Sequence, residues 1–227
     1  MRRALSLKEV FIENKWFFFP FGLFLLLGAL FLAFSHTGDA IFFFSNHRSH
    51  WADLFFRYFT RMGEAAAYFL TLGILLFVSF RYVATLPLLG LSVGLTSFLF
   101  KELFKHDRPY LLFRKMGIFD QINPVDGVVL NGGTNSFPSG HTMSAFALYA
   151  FLAFCLPRKG GAGLALFVMA LLVGISRVYL VQHFFKDVYL GAVLGVGIAL
   201  AIYFLQFRMK APWMNKSLNL WPGRLKP

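Results

Sequence analysis

The sequence predicts an all-α integral membrane protein, with six transmembrane helices in a bundle and an interfacial amphipathic helix between the first two spans. Three observations carry this. The 227 residues are 58% hydrophobic and only 14% charged, more apolar than a single water-soluble core of that size can hide. The apolar residues fall into long runs of the kind a helix needs to cross a bilayer, roughly 17–25 residues. The connections are lopsided, short on one side of the predicted bundle and long on the other.

The predicted spans cover residues 16–34, 65–83, 86–104, 141–156, 162–180 and 188–207, in a single membrane domain of residues 1–227. The first follows Arg2, Arg3, Lys8 and Lys15. Its run exceeds a secretory signal core and no small-residue cleavage site follows, so it reads as a retained anchor. After it, WADLFFRYFTRM places Trp51, Leu54, Phe55, Tyr58 and Met62 at helical spacing, with Asp53, Arg57 and Arg61 opposed. That pattern predicts a helix lying in the interface, serving as an anchor or as an entry for lipid. The segment 105–140 is rich in turn formers, among them Asn123-Pro124, Asp126-Gly127 and NGGTNS at 131–136, and is expected to be irregular. The single cysteine, Cys155, closes the fourth span and reads as packing. The tail after Phe207, with Trp213 and Trp221, reads as an interfacial end.

A net charge of +12 would point to nucleic acid in a soluble protein, but the cations are scattered between spans rather than gathered beside aromatic platforms. No nucleic-acid partner is expected; the bilayer and a membrane lipid are. Placing the N-terminus inside puts Arg2, Arg3, Lys8, Lys15, Arg81, Arg158, Lys159, Arg208, Lys210, Lys216, Arg224 and Lys226 on the cytoplasmic side. The positive-inside bias is slight over all cations, and grows once Lys101, Lys105, Arg108 and Arg177 are set aside as candidates for chemistry. Both termini are therefore expected in the cytoplasm.

If the chain reverses at each span, the end of the third, the start of the fourth, the end of the fifth and the start of the sixth share one side. Ionisable residues at membrane depth cost roughly 2.5–3.5 kcal/mol on insertion scales, so those found there are functional candidates. In KELFKHDRP, Lys101, Lys105 and Arg108 are spaced to share a helical face, with Pro109 ending the helix near Arg108. Snorkelling to the interface would explain any one of them; three on a stripe point to an anion site. In PSGH, Ser139 can cap a helix whose first amides bind phosphate, and Gly140 lets backbone approach a ligand. A helix start does not require His141. In SRVYLVQHFFKD, His183 and Asp187 are four apart, so if the sixth helix starts early enough they share a face and the carboxylate can hold one ring nitrogen and free the other. Each cluster alone has a structural explanation. Together they make a site for a phosphate ester.

The three clusters resemble the type 2 phosphatidic acid phosphatase superfamily, which also includes vanadium haloperoxidases and bacterial acid phosphatases. Its pattern is K-x6-R-P, P-S-G-H and S-R-x5-H-x3-D. Here Lys101 with Arg108-Pro109, Pro138-Ser139-Gly140-His141, and Ser176-Arg177 with His183 and Asp187 match each part in order. The resemblance implies metal-independent hydrolysis through a phosphohistidine intermediate, without a cofactor. It implies His183 as nucleophile, Asp187 as its orienting partner and His141 as the acid for the leaving group. Lys101, Arg108, Arg177, Ser139 and the Gly140 amide would hold the phosphate; Lys105 lies outside the pattern and joins only through the stripe. No Asp/Glu cluster offers a hard-metal cage. The expected function is a bacterial inner-membrane lipid phosphatase with its site facing the periplasm or outside. Its substrate is expected to be undecaprenyl diphosphate or lipid A phosphate, then phosphatidylglycerol phosphate or phosphatidate. A lipid phosphotransferase using the same site is the alternative. A transporter would instead need charges near mid-bilayer and broken central helices.

Overall fold

A computed structural model describes residues 6–155, 160–209 and 211–218. Arg2, Arg3, Arg158, Lys159, Lys210, Trp221, Arg224 and Lys226, used above for topology, lie outside the described residues, as does Leu156 at the end of the fourth predicted span. Among the described residues there are ten α-helices, three short 3-10 turns and no strand: α1 (Leu7–Glu13), α2 (Lys15–Phe34), α3 (Asp39–Asn46), α4 (His50–Phe59), α5 (Ala65–Leu76), α6 (Phe80–Phe104), α7 (Pro109–Lys115), α8 (Gly140–Cys155), α9 (Gly160–Tyr179) and α10 (Phe185–Leu205). The 3-10 turns are Thr60–Gly63, Phe119–Gln121 and Pro212–Asn215.

The all-α class holds, and every expected apolar run contains a helix. Among the described residues four segments, those of α2, α6, α9 and α10, are long and apolar enough to cross a membrane, while α5 and α8 are shorter apolar helices, so within those residues the count of six spans is met by length in four. The expected second span of 65–83 breaks after Leu76. Ser79 caps the next helix, its Oγ accepting from the Arg81 amide at 3.3 Å, and the Phe80 amide donates to the Lys216 carbonyl at 2.8 Å. The helix of the third span begins at Phe80 and ends at Phe104, the predicted bound of the span, but does not run on to Arg108 as the Pro109 signal suggested; Lys105 adopts the left-handed conformation at φ 44°. Beyond it the backbone pairs across the long segment 105–140. Arg108 N donates to Gly133 O and Ser136 N to His106 O, both at 3.0 Å, and these bonds draw 106–108 out of helical geometry. That segment is less irregular than expected, since Pro109 at the first helical position starts α7.

α8 is the centre of the bundle, with twelve of its sixteen residues buried. Phe146 and Phe154 in α8 meet Phe17 and Phe21 of α2, Phe167 of α9 and Tyr203 of α10 in a continuous aromatic core. The tightest seam is α8 against α10. A methyl added to Gly191 would lie 2.8 Å from Ser139 O, and one on Gly195 would lie 2.5 Å from Met143 O. Glycines four apart on one helix face thus let two backbones touch, the close approach that small residues permit in membrane bundles.

At the far end of the bundle, buried Arg81 donates from Nη1 to the carbonyls of Gln206 and, at 3.1 Å, Met209. A cation on the last carbonyls of α10 satisfies groups the helix leaves orphaned. The amphipathic helix predicted at 51–62 is present as α4 and the following 3-10 turn. Its apolar residues Trp51, Leu54, Phe55 and Tyr58 are exposed. The other face is tied down: Tyr179 Oη donates to Asp53 at 2.5 Å, Arg48 pairs with Asp53 at 3.3 Å, and Arg57 donates to Asp126 O at 3.2 Å.

Candidate active site

The C-terminal end of α6, the N-terminal ends of α8 and α10, and the C-terminal end of α9 meet at one end of the bundle, as helix reversal required. The turn leaving α9 is tight. Val181 adopts φ 58°, and the amides of Gln182 and His183 both donate to Arg177 O, at 2.9 and 3.1 Å. A β-branched residue in the left-handed region costs about 1–3 kcal/mol and persists only where its surroundings impose it. Here the turn brings His183 back beside the end of its own helix.

His183 and Asp187 are both buried, with His183 Nδ1 3.4 Å from Asp187 Oδ2. The same oxygen accepts from the Phe184 amide at 3.0 Å and from Ser136 Oγ at 2.5 Å. Asp187 therefore caps the first turn of α10 while fixing the ring. With Nδ1 facing a carboxylate, the proton sits on Nδ1 and the lone pair on Nε2 is left for chemistry. Ser136 was not singled out in the sequence, where it lies in a string of turn formers. It is fully buried, and its hydroxyl also lies 3.4 Å from His183 Nδ1.

The PSGH turn is joined to this pair through backbone: Ser139 N donates to Asp187 O at 3.0 Å. Ser139 Oγ in turn accepts from Thr142 Oγ1 at 2.9 Å and from Thr142 N at 3.4 Å, so it is the expected helix cap. The first amides of α8 have no intrahelical acceptor and present partial positive charge to the site. Gly140 lies beside α6: a methyl there would make an ordinary contact of 3.7 Å with Lys101 Nζ and a tight one of 3.2 Å with Ser97 Oγ. Arg108 is buried, its Nε donating to Asn135 Oδ1 at 2.8 Å and its Nη1 to Gln182 O at 3.3 Å, the residue before His183. Arg177 is buried with Nη1 on Thr60 Oγ1 at 2.7 Å, and its Nε has no hydrogen-bond partner among the described residues. His141 Nε2 lies 3.2 Å from Glu64 Oε1.

Lys101, Arg108, Ser139, Gly140, His141, Arg177, His183 and Asp187 are thus gathered at one end of the bundle. Lys105 is not part of the set. It is exposed, and because α6 ends at Phe104 the single helical stripe of Lys101, Lys105 and Arg108 does not form. Arg108 reaches the site from an extended residue that starts α7. Glu64 and Thr60 were also missed: they lie far from the motifs in sequence, and no local pattern marks them.

His183 lies in the turn between α9 and α10, and its pKa is lowered to about 3. Burial is the main cause, with Arg177 and Arg108 adding to it and Asp187 opposing. The ring is therefore neutral at pH 7. Because the folded pKa lies below the unfolded value near 6.5, protonation favours unfolding. The stability this residue contributes is complete above pH 6.5 and is lost as pH falls from there toward 3. Melting temperatures of the protein and of His183→Asn, taken in detergent from pH 7.5 to 4.5, should show the unaltered protein losing more on the acid side. Parallel curves would contradict the buried neutral ring.

Together the fold and site define an all-helical membrane protein whose converging helix ends bring together three cations, a helix N-terminus and two histidines. The chain belongs to the PAP2 superfamily: the model of that family matches residues 81–210, more than half of it. It is 36% identical over 94 residues to Phosphatidylglycerophosphatase B of Bacillus subtilis (strain 168), covering 38% of this chain and 44% of that protein. Among solved structures it is similar to Aquifex aeolicus LpxE, with TM-score 0.63 and 26% identity over 74% of this chain and 95% of that one. It is also similar to a transmembrane PAP2-type phosphatidylglycerolphosphate phosphatase from Bacillus subtilis, with TM-score 0.55 and 25% identity over 88% and 98% of the two chains. The chain spans less than half the length of the curated relatives it matches.

Proposed function

We propose that this protein is a membrane lipid phosphatase that hydrolyses a lipid phosphomonoester or diphosphate through a phosphohistidine on His183, without a metal. The observation that carries the reading is the buried His183–Asp187 pair at the helix ends that also hold the buried, hydrogen-bonded Arg108 and Arg177. Asp187 holds the proton on Nδ1, so Nε2 attacks phosphorus while the bond from phosphorus to the lipid oxygen breaks. His141 gives its proton to that oxygen. A water then attacks the phosphohistidine, passing a proton back to His141, and phosphate leaves with His183 restored. Lys101, Arg108, Arg177 and the Gly140 amide stabilise the charge on the phosphoryl oxygens through both steps, the work that preorganised donors do in phosphoryl transfer.

The substrate classes compatible with such a site are undecaprenyl diphosphate, lipid A phosphate, phosphatidylglycerol phosphate and phosphatidate. Likeness to a phosphatidylglycerophosphatase supports the third as much as topology supports the first two. We place the site at the outer face of a bacterial inner membrane, with both termini cytoplasmic, in a single membrane domain of residues 1–227. The test is phosphate release by the detergent-purified protein from these four lipids with chelator present. Release from at least one is expected. No release from any, or release abolished by chelator, would overturn the proposal. Product analysis in the same reactions separates hydrolysis from transfer to a lipid hydroxyl.

A further inference from the structure

Each of the two histidines at the site faces a carboxylate, and only one of these pairs belongs to the motifs. The other is Glu64, 3.2 Å from His141 Nε2 across 77 positions of sequence. Glu64 occupies the N-cap of α5, where Ser, Thr, Asp or Asn is the usual residue, yet it makes no capping hydrogen bond to its own helix. Its carboxylate is turned to His141 instead. The turn that carries it is fitted to the site at two further points. Thr60 Oγ1 accepts from Arg177 Nη1 at 2.7 Å, and a methyl on Gly63 would lie 2.8 Å from His141 O. The connection between α4 and α5 is therefore a wall of the site, pressed on the start of α8 and on a phosphate-holding arginine.

We infer that Glu64 is the positioning residue for His141: it holds Nε2–H and stabilises the imidazolium, so that the opposite ring nitrogen presents a proton to the leaving lipid oxygen. Glu64 stays ionised throughout. His141 loses one proton to the departing alkoxide and regains one from the attacking water, while His183 carries the phosphoryl group in between and keeps its Nδ1 proton. The arrangement parallels Asp187 on His183, with one difference. Asp187 is fully buried and locks a neutral ring, whereas Glu64 is 45% exposed in its side chain and supports a ring that must gain and lose charge. This inference rests on the phosphatase reading above and on His141 as the acid.

The experiment compares an ester whose leaving group needs a proton with one whose leaving group does not. Phosphate release is measured from phosphatidate in detergent micelles and from p-nitrophenyl phosphate, for the unaltered protein, Glu64→Gln and His141→Ala. Glutamine keeps the size and an acceptor but not the charge. General-acid help is worth about 10²–10⁴-fold, and losing its supporting charge is expected to lower kcat on phosphatidate by about 10-fold or more. On p-nitrophenyl phosphate the change should stay within about 3-fold, with KM for both esters changed by less than about 2-fold. Equal loss on both esters in Glu64→Gln, or none on phosphatidate, would overturn the role of Glu64. If His141→Ala also failed to discriminate between the esters, the acid assignment itself would fall. Release from neither ester by the unaltered protein would remove the phosphatase reading and this inference together.

Discussion

Asp187→Asn should lower kcat by roughly 10⁴-fold while leaving the protein folded, a loss of the size seen when the carboxylate behind a catalytic histidine becomes an amide. The reason lies in the donors around one oxygen. Oδ2 accepts from the Phe184 amide, from Ser136 Oγ and from His183 Nδ1, the last at 3.4 Å. An asparagine can turn its carbonyl toward the Phe184 amide, and the cap of α10 then survives. It can no longer make the ring favour Nδ1–H through a full negative charge. The alternative tautomer carries its proton on Nε2, which removes the nucleophilic lone pair. His183→Ala should reach the same floor, because a nucleophile and its orienting partner act as one unit and their losses do not add. Single-turnover release of lipid-bound phosphate, beside a melting curve for each variant, separates this from unfolding. An Asp187→Asn protein with near-normal turnover would contradict His183 as the attacking group.

Gly195→Val should produce the largest loss of stability of any single substitution along α10. Even a methyl at this position would meet Met143 O at 2.5 Å and Ala147 N at 3.0 Å. Both obstacles are backbone of a fully packed helix, so the strain cannot be relieved by rotating a side chain. Overpacking of a well-filled core costs about 1–3 kcal/mol and sometimes more, and valine adds two further carbons to a contact already too short. The melting temperature in detergent is expected to fall by several degrees at least. Gly191→Ala is the more informative neighbour, because its methyl would press on Ser139 O, the carbonyl beginning the PSGH turn. Its effect should be larger on kcat than on melting temperature. Gly197→Ala is the control: nothing lies within 4 Å of a methyl there, and its melting temperature should be unchanged or raised.

How much of this was legible in the sequence depends on the reach of each interaction. His183 and Asp187 are four positions apart, with His183 just before α10 rather than on it, and Ser139 caps the helix it precedes, so spacing and capping chemistry found them. The membership of the three motifs in one site followed from span reversal alone. The end of α6 did not, because the bonds that draw out 106–108 come from Gly133 and Ser136 across the segment 105–140; periodicity continued the helix and so enlisted Lys105. The break before α6 could have been seen, since Ser79 stands where a cap belongs, but an unbroken apolar run outweighed one serine. Ser136, Thr60 and Glu64 act through contacts 51, 117 and 77 positions away. No pattern within a window of the chain reports those.

The single hydrogen bond from Ser139 N to Asp187 O has a wider meaning when joined with the glycine seam below it. It stitches the start of α8 to the start of α10 directly above the point where their backbones already touch. In the proposed function, the side that would receive phosphate and the side that would carry the nucleophile are thereby joined by direct backbone contacts. Discrimination among lipids is then not expected to come from these two helices spreading to admit a bulkier head group. It falls to the parts that enclose them from outside, the turn at 60–64 and the segment 105–136, whose lengths and side chains can change without disturbing the reacting geometry.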